Sequence, residues 1–330
     1  MIATITAFVL SALAALYITP LMRRAAIQFG IVDEPDGRLK THAEPVPYLG
    51  GLAVFLAFLI SLAVVFEFSH AVLGILLSGT LMLLVGLIDD LGVLSPLEKL
   101  AGQSVAVAVL IKAGIFIKLV FIPPLAAFLL SALWLLTVTN ALNFMDVMDG
   151  LAAGVAMIAA LFLAGIAVRH GEPMVAVMAA SLAGSLLGFL RFNFSPARIY
   201  LGDSGSLFIG LTLAALAMNV GYTTKNDLGM LTPVLLLGVP LFDLAFVSLV
   251  RLEKGLSPFH GSPDHVALRL KRAGLSVVRT VGVTYAAGLL LALSGIALMD
   301  APDNRTAALL VACIAAVLLA VAAGVRKIGG

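Results

Sequence analysis

The stretch TNALNFMDVMDG, residues 139–150, is the part of the sequence best suited to chemistry. It places four polar side chains at three-residue intervals between two very hydrophobic segments: Asn140, Asn143, Asp146 and Asp149. A carboxylate inside hydrocarbon costs on the order of 3 kcal/mol or more, so we expect this run at the membrane surface or in a wet cleft. We interpret the two asparagines as the last turn of one helix, Asp146 as loop and Asp149 as the cap of the next helix. The alternative is that both carboxylates only cap helix ends.

Two adjacent carboxylates, Asp89 and Asp90, close another apolar segment in GLIDDLGVLSPLEKL. At the carboxyl end of a helix they face the negative end of the helix dipole and repel each other. At an effective dielectric constant of about 20, two charges about 4 Å apart interact by about 4 kcal/mol. We therefore expect a compensating cation, either a divalent metal, Lys99 or both. A solvated helix end with free side chains is the alternative.

A third motif, RIYLGDSGSLFIG at residues 198–210, precedes a predicted helix. The amides and hydroxyls around Gly202 and Ser204, at the positive end of that helix, suit a phosphate, and Asp203 suits Mg²⁺. Alone, the motif is a weak signal because Asp or Ser would cap a helix there in any case.

The long basic loop RLEKGLSPFHGSPDHVALRLKRAG carries Arg251, His260 and His265. These side chains could bind a diphosphate, or they could be solvated or contact anionic lipid headgroups. Asp243 lies about two turns inside the apolar segment before this loop, so it requires a polar partner that the sequence does not identify.

The elements that must position these residues are membrane helices. The chain is 62% hydrophobic and only 12% charged, with a mean hydropathy of +1.14, which no soluble domain of 330 residues shows. The short segments of alternating polarity that a membrane β-barrel needs do not occur. Apolar stretches of about 17–25 residues predict an all-α, polytopic membrane protein with about 10–11 spans and a single domain over residues 1–330. The spans are expected near residues 2–21, 49–66, 71–88, 100–116, 119–139, 150–168, 173–190, 204–221, 229–250, 277–298 and 304–325.

The loops between these spans alternate in charge. One set of short loops holds five of the 20 basic residues, and the other set, with the C-terminal tail, holds the remaining fifteen. The positive-inside rule makes the second side cytoplasmic, with the N-terminus outside and the C-terminus inside an inner (cytoplasmic) membrane.

Every polar motif described above falls on the basic side. This asymmetry favours an enzyme with a cytoplasmic active-site cleft that joins a soluble substrate to a membrane-borne one. It counts against an ion-coupled transporter, whose polar groups should lie near the middle of the membrane. No nucleic-acid partner is expected.

Taken in order, the motifs resemble those of the polyprenyl-phosphate N-acetylhexosamine-1-phosphate transferases, glycosyltransferase family 4. The resemblance extends from the second predicted span to beyond the ninth. The matching stretches are PYLGGLAVF (47–55), GLIDD with LSPLEKLAGQ (86–103), NALNFMDVMDGLAAG (140–154), RIYLGDSGSLFIG (198–210) and RLEKGLSPF with a downstream DH (251–265).

The resemblance implies transfer of a sugar 1-phosphate from a UDP-N-acetylhexosamine to a polyprenyl phosphate in the lipid bilayer, with release of UMP. It implies Mg²⁺ as the cofactor, with Mn²⁺ as the alternative, and Asp203 and Asp89 as metal ligands. A homodimer is a further expectation. The implied catalytic residues are Asp89, Asp90, Asp146 and Asp149, and the implied substrate-binding residues are Asn140, Asn143, Lys99, Tyr200, Gly202, Ser204, Arg251 and His265.

Two departures from the family pattern bear on the substrate. Val147 stands at the second position of DGxDG, where a glycine is usual, and the histidine-rich segment retains only its first histidine, His265. The sequence VPYLGG before the second span also differs from the TPTMGG-like form of the muramoyl-pentapeptide branch. We therefore favour UDP-GlcNAc as the donor. The alternatives are UDP-MurNAc-pentapeptide as the donor, an ion-coupled transporter and an inactive relative.

Overall fold

A computed structural model of the chain describes residues 1–33, 46–66, 69–118, 122–257 and 262–328. Almost all regular structure in these ranges is helical, and the exception is a pair of two-residue antiparallel strands, β1 (Val32–Asp33) and β2 (Val46–Pro47). The helices are α1 (Ile2–Gln28), α2 (Gly50–Val65), α3 (His70–Asp90), α4 (Pro96–Lys112), α5 (Pro124–Met145), α6 (Leu151–His170), α7 (Pro173–Asn193), α8 (Gly202–Ala217), α9 (Thr232–Leu236), α10 (Gly238–Glu253), α11 (Val266–Arg272), α12 (Val277–Met299) and α13 (Asn304–Lys327).

The all-α, polytopic membrane architecture is confirmed. Among the described helices, seven are long and apolar enough to cross a membrane: α1, α3, α5, α6, α7, α12 and α13. Ten of the eleven predicted spans each coincide with one helix, but α2 and α8 have only 16 residues. At about 1.5 Å per residue they rise about 24 Å, less than the roughly 30 Å hydrocarbon thickness.

The ninth predicted span, residues 229–250, is wrong as a continuous helix. A 3₁₀ helix (Asp227–Leu231) runs into α9, and the axis then bends by 78° before α10. The break falls beside Gly238 and Pro240, and proline lacks the N–H that a continuous helix would need at that position. The two pieces count as an eighth span only if the bent pair is taken together.

The centre of the bundle is formed by α6, α7 and α8, which are buried along most of their length. The first helix packs closely on α7 at Gly184. A Cβ at this glycine would lie only 2.1 Å from the Phe8 carbonyl oxygen. Small residues at such positions let membrane helices approach each other. The last helix, α13, lies at the periphery, with only 6% of its most apolar window buried.

Loops of the charge-poor set meet at one end of the bundle, as predicted. Asp300, after α12, accepts hydrogen bonds from Arg169 Nη2 at 2.9 Å and from Lys225 Nζ at 3.1 Å. The polar motifs gather at the other end, where α3 and α5 finish and α4 and α8 begin. We call it the site end.

Candidate active site

Four helix termini from separate parts of the sequence meet at the site end around the ammonium group of Lys99. Its Nζ atom lies 2.7 Å from Asp89 Oδ2 and 2.5 Å from Asp203 Oδ2. Lys99 also donates to Asn143 Oδ1 at 3.1 Å. We call Asp89, Lys99, Asn143 and Asp203 the Lys99 cluster. The cation expected beside the carboxylate pair is thus present as Lys99.

Asn143 orients Asp203 within this cluster. Its Nδ2 donates to Asp203 Oδ1 at 2.8 Å and to Ser206 Oγ at 2.9 Å. The second carboxylate oxygen of Asp203 faces Lys99, so both oxygens of Asp203 have defined partners. The asparagine and the aspartate therefore act as one unit in the described structure.

Asp90 has a different position from its neighbour Asp89. Its Oδ1 accepts the backbone N–H of Asp203 at 2.7 Å, and its Oδ2 accepts that of Ser204 at 3.1 Å. The residue before α8, Leu201, provides no side-chain cap, so Asp90 caps α8 from another helix. These two amides therefore donate to Asp90. The sequence had suggested a phosphate as their partner.

Ser204 and Gly202 are placed by this same contact. The Ser204 side chain is fully buried, so no exposed hydroxyl there supports the predicted substrate contact. Gly202 has φ +73°, and a Cβ at this position would lie 2.7 Å from Asp90 Oδ2. Glycine is thus required beside the Asp90 carboxylate for both conformational and steric reasons.

Close glycine contacts hold the start of α8 against α2 and α3. A Cβ at Gly51 would lie 2.1 Å from the Gly205 nitrogen, and one at Gly86 would lie 2.4 Å from the Asp203 carbonyl oxygen. The backbone N–H of Gly50 donates to the Tyr200 carbonyl at 3.0 Å. The glycines in three of the motifs therefore let three helix ends approach closely enough to form the Lys99 cluster.

The DVMDG turn corrects one expectation. The N-cap of α6 is Gly150, with φ +74° and no side-chain cap. The prediction that Asp149 caps this helix is therefore wrong. The Asp149 carboxylate instead accepts the Ala197 N–H at 3.0 Å, in the loop after α7. Asn193, which the sequence reading missed, accepts the Gly150 N–H at 3.1 Å and donates to Ile199. The sequence feature that could have identified Asn193 is a polar residue at the last position of an apolar helix.

Asp146 is the C-cap residue of α5 and lies among other carboxylates. Loss of solvation raises the pKa of its carboxyl group to about 8, and the negative charges of Asp203, Asp90 and Asp149 contribute to this increase. A positive charge among these carboxylates would lower that pKa. Asp146 therefore lies within electrostatic range of Asp203, a member of the Lys99 cluster.

Asn140 does not reach the Lys99 cluster. Its side-chain amide pairs with Gln103 of α4 in both directions, at 3.2 and 2.8 Å. Gln103 is 1% exposed and was missed by sequence reasoning. A three-residue step turns a helical side chain by about 300°, so Asn140 and Asn143 meet different neighbours. Asn140 therefore joins α5 to α4, and its predicted substrate contact lacks support in this geometry.

The remaining predicted contacts lie outside the Lys99 cluster. Tyr200 is near Tyr48, with ring centroids 6.2 Å apart. Arg251 donates through Nε to the Ser257 carbonyl at 2.6 Å, and His265 pairs with Asp243. His260 falls outside the described residues.

The donor set fits a magnesium ion only in part. Among the residues described, no group of three His, Cys, Asp or Glu side chains is arranged to hold a metal. Asp89 and Asp203 nevertheless face one cation, and Mg²⁺ commonly binds one or two protein carboxylates plus substrate phosphates and water. The two carboxylates therefore fit Mg²⁺ if substrate oxygens complete the coordination and Lys99 moves aside.

Residues 72–221 match the sequence profile of glycosyl transferase family 4. The chain is 33% identical over 312 residues to the probable undecaprenyl-phosphate N-acetylglucosaminyl 1-phosphate transferase of Bacillus subtilis (strain 168), covering 91% of this chain and 86% of that protein. It is 35% identical over 302 residues to the decaprenyl-phosphate N-acetylglucosaminephosphotransferase of Mycobacterium tuberculosis (strain ATCC 25618 / H37Rv), covering 80% and 74%. It is 24% identical over 284 residues to the undecaprenyl-phosphate alpha-N-acetylglucosaminyl 1-phosphate transferase of Escherichia coli O157:H7, covering 81% and 77%.

Proposed function

We propose that this chain, which belongs to glycosyl transferase family 4, transfers N-acetylglucosamine 1-phosphate from UDP-GlcNAc to a polyprenyl phosphate and releases UMP. The relatives named above all carry N-acetylglucosamine and a polyprenyl phosphate in their names. The observation that carries the proposal is the Lys99 cluster, in which two carboxylates and one ammonium group converge from separate helix ends.

Phosphoryl transfer depends mainly on positioning and on neutralising charge. The Lys99 ammonium group places a positive charge between Asp89 and Asp203, where a diphosphate would bind on this proposal. Asn143 keeps Asp203 in one orientation. Asp89 and Asp203 would repel a diphosphate unless a cation lies between them. Mg²⁺, with Mn²⁺ as the alternative, would supply that neutralisation when bound by these two carboxylates.

The lipid phosphate is the preferred nucleophile. A phosphate monoester has a second pKa of about 6, so it is largely ionised near neutral pH without help. Its oxygen attacks the phosphorus that carries the sugar, and the bond from that phosphorus to the UMP oxygen breaks. Asp89 is paired with Lys99 at 2.7 Å, which makes its carboxylate a weaker nucleophile. Trapping a phosphosugar or nucleotide on Asp89 would contradict this direct route.

The charge of the loops supports a cytoplasmic location for the site end. The loops there and the C-terminal tail carry most of the 20 basic residues, which the positive-inside rule assigns to the cytoplasm. On this proposal the nucleotide sugar arrives from the cytoplasm, and the polyprenyl phosphate reaches the Lys99 cluster from the inner leaflet.

Release of UMP by the purified protein tests the proposal. We expect UMP from UDP-GlcNAc in the presence of undecaprenyl phosphate and Mg²⁺, and none after chelation of the metal. Asp203→Asn should abolish turnover. Lys225→Ala, at the opposite end of the bundle, is the matched control and should retain it.

The same assay separates the alternatives. Turnover of UDP-MurNAc-pentapeptide but not UDP-GlcNAc would show the other donor branch. An absence of turnover with any UDP-sugar, together with ion flux through proteoliposomes, would favour a transporter.

A further inference from the structure

Asp243 is a carboxylate within a helix of the membrane bundle, and the structure identifies its partners. It is 5% exposed, and its Oδ2 lies 2.6 Å from Nδ1 of His265. Its Oδ1 accepts the backbone N–H of Val266 at 2.8 Å. An unpartnered carboxylate inside a membrane costs on the order of 3 kcal/mol or more, so these two contacts explain how Asp243 is tolerated.

The residues on both sides of His265 are held independently. Asp264 accepts hydrogen bonds from Arg269 Nη2 and from Lys254 Nζ, both at 2.8 Å. Val266 begins α11 and is attached to Asp243 through its N–H. His265 is therefore a fixed ring between two anchored neighbours and not a mobile side chain of a solvated loop.

The Asp243 carboxylate determines which ring nitrogen carries hydrogen. An ionised carboxylate can only accept, so the hydrogen of the short contact lies on Nδ1 whether the ring is neutral or charged. The Nε2 atom remains the variable position: it accepts in the neutral ring and donates in the charged one. No described residue is hydrogen bonded to Nε2, and the His265 side chain is 7% exposed.

The His265 region lies at the site end of the bundle. The hydroxyl of Tyr285, in the third turn of α12, donates to the Gly150 carbonyl at 2.5 Å. Gly150 directly follows Asp149 in the DVMDG turn. Since only residues 273–276 separate α11 from α12, the helix that starts after His265 lies at the same end as the Lys99 cluster.

We propose that Asp243 is the positioning residue of His265 and fixes the orientation in which this ring meets the nucleotide donor. The inference rests on the proposed transferase function. It assigns Asp243 no contact with substrate: the carboxylate acts only through the imidazole ring, as outer partners of functional histidines commonly do.

Nuclear magnetic resonance of nitrogen-15-labelled histidine tests the pairing without using activity. The chain has five histidines, and His265→Gln identifies the signal of this ring. At mildly alkaline pH we expect hydrogen on Nδ1 and a bare Nε2 in the wild-type protein, and a larger population with hydrogen on Nε2 in Asp243→Asn. A wild-type ring with hydrogen only on Nε2, or a variant with unchanged tautomers, would overturn the proposal.

Steady-state kinetics test whether the pairing serves the donor. Asp243→Asn should raise KM for UDP-GlcNAc about tenfold, with kcat and the KM for polyprenyl phosphate little changed. In a His265→Gln background the same substitution should have no further effect, because the residue through which it acts is gone. A further rise in that background would show a general structural role and refute the proposal. His170→Gln, on the opposite side of the bundle, is the matched control.

Two further outcomes are informative. If Asp243→Asn does not fold, the tautomer of the wild-type ring and the KM of His265→Gln for UDP-GlcNAc decide. Hydrogen on Nδ1 together with a raised KM supports the proposal. Hydrogen on Nε2 only, or an unchanged KM, overturns it. If the tautomers behave as expected but the wild-type protein turns over no UDP-sugar, the proposed function fails while the Asp243–His265 pairing stands.

Discussion

The Asp90 carboxylate accepts the backbone N–H of Asp203 across 2.7 Å, which fixes the first turn of α8 against the last residue of α3. The preceding residue, Asp89, faces Lys99 instead. Adjacent side chains on a helix point about 100° apart, so Asp89 and Asp90 contact different partners. One carboxylate holds the backbone of the site, and the other remains beside the cation.

Substituting Asp90 and Asp89 one at a time should show that one residue supports stability and the other supports turnover. Asp90→Ala removes the acceptor for two α8 amides and should lower the free energy of unfolding by about 1–2 kcal/mol, as for loss of an N-cap. Asp89→Asn should leave the thermal midpoint in detergent almost unchanged but reduce UMP release at least about 100-fold, because charge at the Lys99 cluster is lost. The reverse pattern would mean that the two roles are interchanged.

Removing the ammonium group of Lys99 should make stability depend on divalent metal. In Lys99→Gln, Asp89 and Asp203 face each other without a cation, and their repulsion should lower the thermal midpoint in a chelating buffer. Added Mg²⁺ should raise the midpoint more in this variant than in the wild type, because a bound ion stabilises the folded state. Lys112→Gln, an exposed lysine on the same helix, is the control. Equal responses to Mg²⁺ in both variants would contradict the predicted metal position.

Asp146 should make stability fall as pH rises in the absence of metal. Its pKa is raised from 3.8 to about 8, so between these values the folded state binds more protons than the unfolded state. By linkage, Asp146 does not lower the free energy of unfolding below about pH 4, and it lowers that free energy increasingly up to about pH 8. Thermal midpoints measured with a chelator should therefore show Asp146→Asn gaining on the wild type as pH rises. A constant difference between the two proteins would refute the shift.

Arg269 should be among the most sensitive positions for stability. It pairs with Asp264, both side chains are buried, and it donates to the Val325 and Arg326 carbonyls at the end of α13. Arg269→Met would leave Asp264 and these carbonyls without this partner, at a cost of about 3 kcal/mol. Arg272→Met is the matched control, since Arg272 is half exposed and 4.0 Å from Asp264, and should change stability by less than about 1 kcal/mol. Similar losses in chemical denaturation would show that burial does not distinguish the two arginines.

The sequence alone determined the membrane class, the approximate helix positions and the common end of the polar motifs. Hydropathy locates spans because an apolar segment has no stable place in water, and chain connectivity alternates the ends of successive spans. Charge compensation also predicted a cation beside the Asp89 and Asp90 pair, with a divalent metal and Lys99 as the candidates, and the structure places Lys99 beside Asp89.

Only the tertiary structure decided which polar group meets which. Asp90 caps α8, Asp149 binds the loop after α7, Asn140 pairs with Gln103, and Asp243 holds His265. These partners depend on how each helix is rotated about its axis and how closely it approaches its neighbours. Where a membrane helix is apolar on every side, its hydropathy does not specify that rotation. Close glycine contacts and hydrogen bonds between distant segments do.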